Sequence, residues 1–298
     1  MNSSTDNLER CAQRTSILLI GSSGAGKSAT INHLLETGKG NVVAKTGKFK
    51  PETKTTSEIL VTIDDHDHEA SDLTLGVIDT PGLNDPRGLK QDACNLYSTK
   101  HFFETHPLYS KTKCSPNLIF LLVSANDHRI EGNNSGLAKS LRALKELDIV
   151  DKHRPNVVAV LTFCCSVPHF DVSQWEAMMK EKKVIISRNI CEALGIQAPV
   201  VLLENDKDSN NLANDGDFTL LPNNMRQPEN LHKTCRMVLE KNGDHYGLST
   251  FNACFAKPNA EKPRAVLRHN VKANDISKHT LSKDEEDLLN VLRGGAKG

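Results

Sequence analysis

The chain lacks the means to hold a nucleic acid or an anionic membrane by charge. Lys and Arg together number 37, and so do Asp and Glu, so the formal net charge is zero. A neutral chain has no excess of cations to exchange for the counterions of a polyphosphate backbone. Aromatic residues make up only 4%, too few to predict base-stacking platforms for single strands. Long apolar runs are missing as well. The longest, Leu118 to Val123, Val157 to Val160 and Val200 to Leu203, fall far short of the roughly 20 residues a transmembrane helix needs. Met1 to Arg10 is polar with both signs of charge, so neither a signal nor a transit peptide is expected there. The final Arg-Gly-Gly-Ala-Lys-Gly carries no prenylation box, and peripheral membrane contact stays open. No CxxC pair occurs among the eight cysteines, so no zinc site is expected. The adjacent Cys164 and Cys165 sit in an apolar stretch and read as buried thiols of a reducing compartment. The expectation is a soluble, cytoplasmic protein.

What is present is a regular alternation of strands and helices. Ser16 to Ile20 is a short apolar run ending at Gly21, the mark of a buried strand. A helix follows from Lys27 with Ile31, Leu34 and Leu35 on one face. Glu58 to Ile63 and Leu73 to Ile78 pair as a hairpin around the acidic, His-containing turn Asp64 to Asp72. Asn117 to Val123, Asn156 to Phe163 and Pro199 to Leu203 read as strands covered on both faces. Helices are predicted over the Leu137, Leu141, Leu144 and Leu147 stripe, over Ser173 to Leu194 with Ser173 as N-cap, and over Pro228 to Lys241. Asp206 to Asn224 is polar and predicts a long loop. This order predicts an α/β fold, a mostly parallel six-stranded sheet with one antiparallel edge strand and helices on both faces. We divide the chain into a polar segment over 1–14, a nucleotide-binding domain over 15–244, and a polar, loosely ordered tail over 245–298 with a short helix near Ser282 to Leu292.

The chemistry is concentrated in one loop. Gly21-Ser22-Ser23-Gly24-Ala25-Gly26-Lys27-Ser28 fits GxxxxGK[ST], directly after a buried strand and opening a helix. Its glycines let the backbone turn N–H groups inward around a phosphate, and the helix N-terminus adds a favourable dipole. Lys27 would reach the β- and γ-phosphates, and the Ser28 hydroxyl would ligate Mg²⁺. Asp79-Thr80-Pro81-Gly82 follows a strand with the DxxG spacing of GTPases. There Asp79 would hold Mg²⁺ through water, and the Gly82 N–H would meet the γ-phosphate. Between the two lie Thr53, Thr55 and Thr56, one of which should close on the metal and γ-phosphate in the triphosphate state; Thr53 is favoured.

Lys27 to Leu34 (KSATINHL) resembles the GKSAT-x-N signature, extending through Ala29, of the GIMAP family, the immunity-associated nucleotide-binding proteins of the septin-like GTPase branch. Val77 to Leu83 (VIDTPGL) resembles the same family and its relatives, the Toc GTPases of the chloroplast envelope. Pro51 to Thr56 (PETKTT) is similar to the family's S-x-T-K-x-C switch segment, which aligns its Thr with Thr53 and replaces its Cys by Thr56. Pro199 to Asn205 is similar to the Toc-type end of the last strand. The resemblance spans roughly residues 14 to 240. It implies a slow, Mg²⁺-dependent GTPase that cycles between GTP and GDP and is controlled by homodimerisation through the nucleotide face. A GTP-dependent oligomerising scaffold is the alternative.

The base-reading element departs from the family pattern. Thr162-Phe163-Cys164-Cys165 keeps the Thr but has no Asp. Phe163 would stack on the base, and Glu204, beside Asn205, would read the guanine edge, with Asp171 as a substitute. The residue after Gly82 is Leu83, where Ras places a water-orienting Gln. Arg129, in His128-Arg129-Ile130-Glu131, resembles the Arg of the family's G-R-Y-T element and is the first choice for a residue acting across a dimer. Arg87 is the second.

Overall fold

The computed structural model describes residues 14–34, 53–63, 73–112, 115–127, 130–169, 171–206, 209, 212–215, 218–255 and 264–294. Strands β1 (Thr15–Gly21), β2 (Thr55–Ile63), β3 (Leu73–Asp79), β4 (Leu118–Ser124), β5 (Val157–Thr162) and β6 (Val200–Leu203) appear in chain order. They are interleaved with helices α1 (Lys27–Leu34), α2 (Leu89–Thr105), α3 (Tyr109–Thr112), α4 (Gly136–Leu147) and α5 (Val172–Leu194). Three short strands follow: β7 (Ala213–Asp215), β8 (Phe218–Leu220) and β9 (Arg226–Gln227). Helices α6 (Glu229–Lys241) and α7 (His245–Phe255), strand β10 (Arg264–Lys272) and helix α8 (Lys283–Arg293) complete the described chain.

The main sheet has the order β10-β2-β3-β1-β4-β5-β6. β1 pairs in parallel with both β3 and β4, and β5 and β6 continue that direction, whereas β2 runs antiparallel to β3. The order reverses at β1. In an open α/β sheet the carboxyl ends of the strands at such a reversal form a crevice for ligands.

Side chains alternate along β1 between the two faces. Leu18 and Ile20 join a cluster with Phe102 of α2, Leu141 of α4, Trp175 of α5 and Leu288 of α8. Ile17 and Leu19 join another with Ile31 of α1, Leu231 of α6 and Phe251 of α7. The period of two explains why a strand covered on both faces reads as an unbroken apolar run.

Three features differ from the sequence expectation. The sheet has seven strands rather than six, because residues 264–272, where composition predicts loose order, pair antiparallel outside β2. The N-cap of α5 is Asp171, whose carboxylate accepts from Gln174 N–H, so the helix starts two residues earlier than a Ser173 cap would allow. The polar stretch read as one long loop contains β7 and β8, which form a small sheet with β9 just beyond it.

Candidate functional site

The site forms where β1, β3, β5 and β6 end. Gly21 closes β1, and Lys27 opens α1. Between them Gly24 (φ 78°) and Gly26 (φ 83°) adopt left-handed backbone, the conformation that favours glycine. Gly26 is required a second time. A Cβ there would lie 2.5 Å from Asn205 Nδ2 and 3.2 Å from Phe163 Cε2. Ala25 and the Ser28 side chain are buried, while Ser22, Ser23 and Ala29 are half-buried.

Lys27 is 6% exposed. Its Nζ donates to the carbonyls of Gly21 at 3.2 Å and Ser22 at 3.0 Å. Burial draws its pKa down to about 8, against the pull of Asp79. A buried ammonium held this way gains from an added anion, which would offset its desolvation.

Three oxygen-bearing side chains converge beside it. Ser28 Oγ donates to Asp79 Oδ2 at 3.0 Å, Thr53 Oγ1 donates to the same oxygen at 3.3 Å, and the two hydroxyls lie 3.0 Å apart. Burial raises the Asp79 pKa, opposed by Lys27, Ser28, Thr53 and the Thr80 backbone. Its second oxygen, Oδ1, is buried with no hydrogen-bond partner among the described residues. An orphaned carboxylate oxygen next to two hydroxyls suits a hard cation such as Mg²⁺, which takes oxygen ligands. The three candidate threonines separate here. Thr53 reaches the cluster, whereas Thr56 turns to Ser98 and Thr99 on α2 at 3.0 and 3.1 Å, and Thr55 opens β2.

The DxxG turn is held on both sides. Thr80 Oγ1 donates to the Leu19 carbonyl at 2.7 Å. Gly82 lies so close to the phosphate loop that a Cβ would come within 2.5 Å of Ser23 Cα. Ser23 N–H donates to the Leu83 carbonyl at 2.5 Å, and Leu83 N–H to the Gly21 carbonyl at 3.1 Å.

At the opposite end Thr162 is fully buried and donates to the carbonyls of Ala25 at 2.9 Å and Val123 at 3.2 Å. It fastens β5 to the phosphate loop. Phe163, half-buried in a left-handed conformation (φ 57°), packs beside Gly26. Both Glu204 oxygens accept backbone N–H groups, Oε2 from Cys165 at 2.6 Å and Oε1 from Asp206 at 2.7 Å. Burial raises its pKa, and these bonds oppose the rise. Asn205 Nδ2 donates to Gly26 O at 3.2 Å and Thr30 Oγ1 at 2.9 Å, while its Oδ1 is buried with no hydrogen-bond partner among the described residues. Asp171 is committed to its cap.

Arg87 forks onto Asp85 with two 2.9 Å bonds and lies 3.6 Å from Asp275. Arg129, like the acidic turn at 64–72, lies outside the described residues. Sequence reasoning missed two buried polar residues of α2, Gln91 and Asn95. Asn95 Nδ2 donates to the Gly82 carbonyl at 2.7 Å. Nothing in the sequence marks an amide on a helix as the partner of a turn.

Residues 15–153 match the AIG1 family. The chain is 26% identical over 202 residues to translocase of chloroplast 159 of Arabidopsis thaliana, covering 63% of this chain but only 12% of that protein. Its fold is similar to that of Arabidopsis thaliana Toc33 crystallised with GDP and Mg²⁺ (TM-score 0.53, 17% identity, 87% of this chain and 90% of that one). A structure from work on the chloroplast translocon components atToc33 and psToc159, for whose GTPase activity dimerisation is important, is also similar (TM-score 0.56, 18% identity, 87% and 89%).

Proposed function

We propose that this protein is a Toc-like P-loop GTPase that binds GTP and GDP with Mg²⁺ and hydrolyses GTP slowly as a switch, a reading supported by the AIG1-family match over residues 15–153 and the likeness to translocase of chloroplast 159. The observation that carries the reading is the convergence of Ser28, Thr53 and Asp79 beside the buried Lys27, with Asp79 Oδ1 left without a hydrogen-bond partner among the described residues. Ser28 and Thr53 would hold the cation directly, and Asp79 through water. Mg²⁺ would supply charge neutralisation at the β- and γ-phosphates.

The remaining parts of the reading belong to the chain's own groups. Lys27 binds phosphate oxygens, and the inward N–H groups of residues 22 to 28 cradle them. Gly82 offers its N–H to the γ-phosphate. Phe163 covers one base face over Gly26. Glu204 and Asn205 Oδ1, which has no hydrogen-bond partner among the described residues, would be the acceptors for the base edge, and an acceptor set favours guanine, whose N1–H and N2–H₂ both donate.

Slow turnover is inferred from Leu83. It is 2% exposed and has no group with which to orient water. Homodimerisation through the nucleotide face would then supply what one subunit lacks, as dimerisation matters for the chloroplast relatives. The second reading, a GTP-dependent scaffold with incidental hydrolysis, is favoured by Arg87. That side chain is paired within its own subunit rather than presented outward. A cytoplasmic setting is part of the proposal, supported by Cys164 and Cys165, buried thiols outside any disulfide, which burial pushes far above their ordinary range.

The test is a titration with GTP, GDP and ATP, each with Mg²⁺ and with EDTA. Mg²⁺-dependent preference for the guanine nucleotides is expected. Equal affinity for ATP and GTP would remove the guanine assignment. Binding indifferent to Mg²⁺ would remove the role of the Ser28, Thr53 and Asp79 cluster.

A further inference from the structure

Two buried amides connect the DxxG turn to the far end of the chain. Asn95 and Gln91 are 3% and 1% exposed. Asn95 Nδ2 donates to the Gly82 carbonyl at 2.7 Å. Gln91 Nε2 donates to Asn95 Oδ1 at 3.0 Å and to the Asn274 carbonyl at 2.7 Å. Gln91 Oε1 accepts from Ile276 N–H at 3.0 Å. The amide orientations are mutually fixed. The N–H of Ile276 can only meet Oε1, which turns Nε2 toward Asn274 and Asn95.

The same segment grips the other switch. Ala273 N–H donates to the Lys54 carbonyl at 3.0 Å, one residue beyond Thr53. Residues 273–276 are therefore bonded directly to the segment carrying Thr53, and to the Gly82 turn through Gln91 and Asn95.

We propose that Gln91 and Asn95 are positioning residues that couple Gly82 to segment 273–276, so that the triphosphate and diphosphate states differ at the β10–α8 connection. The inference rests on the nucleotide reading above. Its physical basis is the state of the Gly82 junction. The Ser23 N–H is engaged by the Leu83 carbonyl at 2.5 Å. A γ-phosphate that takes the N–H groups of Ser23 and Gly82 must displace this turn. Gly82 cannot move without either carrying Asn95 and Gln91 along or leaving buried amide groups unpaired, which costs free energy because a buried donor then has neither water nor an acceptor. Linkage is reciprocal. If the triphosphate loosens segment 273–276, then a broken relay eases triphosphate binding.

The experiment is amide hydrogen exchange on the full chain with Mg²⁺-GMPPNP and with Mg²⁺-GDP, read at Ala273 and Ile276. Affinities for both nucleotides are measured in the parent chain and in Gln91→Met, which keeps the length of the side chain and removes its polar groups. Exchange at these amides is expected to be faster with GMPPNP than with GDP. In Gln91→Met the ratio of GMPPNP to GDP affinity should rise about fivefold or more, the lower end of site-to-site coupling. A residue with a structural role alone would weaken both nucleotides together and leave the ratio fixed. Equal exchange in the two states, or an unchanged ratio in a folded Gln91→Met, overturns the inference while nucleotide binding stands. Should Gln91→Met fail to fold, the exchange comparison on the parent chain decides. A parent chain that binds neither nucleotide overturns the functional reading and this inference with it.

Discussion

At Asp79, burial opposes charge while the neighbours favour it. Two hydroxyls, Lys27 and the Thr80 backbone support the carboxylate, yet Oδ1 is buried with no hydrogen-bond partner placed on it among the described residues. Asp79→Asn keeps the shape and removes the charge, so we expect GMPPNP binding to become insensitive to EDTA, with affinity in Mg²⁺ down about tenfold, a typical loss at metal-site residues. Retained Mg²⁺ stimulation would show that the cation is held elsewhere. Lys27→Ala should abolish binding of every nucleotide, because the buried loop loses its cation; calorimetry with GDP checks it. Glu204→Ala should erode the preference of GTP over ATP, whereas Phe163→Ala should weaken both alike by about 1–3 kcal/mol, since stacking is indifferent to base identity. The Glu204 carboxylate also pins the backbone of Cys165 and Asp206, so a melting temperature must accompany the affinity ratio. An unchanged ratio in a destabilised variant would assign Glu204 to loop support alone. The phosphate loop was readable from sequence because an anion demands glycine, lysine and a hydroxyl at fixed spacing. The partners of Glu204 were not, because they are backbone N–H groups brought together only when β5 and β6 lie side by side.

The same contrast holds for whole elements. Strands covered on both faces, such as β4 and β5, declare themselves as unbroken apolar runs. An edge strand packs on fewer neighbours and tolerates polar residues, so residues 264–272, with their Arg, His, Asn and Lys, read as a tail. Helix α8 was readable because Ser282 and Glu285 stand at the spacing of a capping box, and both halves of that box form. Burial works against ionisation of Glu285. Hydrogen bonds from the Ser282 backbone, His279, Asn274 and the Ser282 hydroxyl outweigh it and pull the pKa from 4.5 down to about 2. A depressed carboxyl contributes stability that is present above pH 4.5 and lost as pH falls toward 2. Ser282→Ala should destabilise α8 by about 1 kcal/mol, the usual worth of an N-cap. Limited proteolysis at α8 and a lowered melting temperature would report it; unchanged protection would mean that α2 and α4 hold the helix without its cap.

For the molecule as a whole, two buried histidines set the response to acid. Burial draws His106 and His232 from 6.5 down to about 4. His106 Nδ1 accepts from Leu108 N–H, which leaves Nε2–H to donate to Glu58 at 3.0 Å, the arrangement of a neutral ring. The unfolded chain therefore takes up protons first, and stability should be full above pH 6.5 and fall as pH drops toward 4; a flat melting temperature over that window would contradict it. On the proposed reading, assembly would set the response to concentration. One subunit would then offer Lys27, Gly82 and a cation cluster to the γ-phosphate, with Leu83 in place of a group able to orient water. An arginine supplied from a second subunit adds about 10³–10⁵ in rate where it is known. Arg87 would first have to leave Asp85 and Asp275, so Arg129 is the better candidate to cross the interface. We expect specific GTPase activity to rise with protein concentration through the dimer midpoint measured by ultracentrifugation with GMPPNP. If Arg129→Ala abolishes that rise while GMPPNP still drives dimerisation, the arginine acts in trans. If the rise survives, the interface acts by fixing the switches. A flat line with dimers demonstrably present would leave assembly itself as the function.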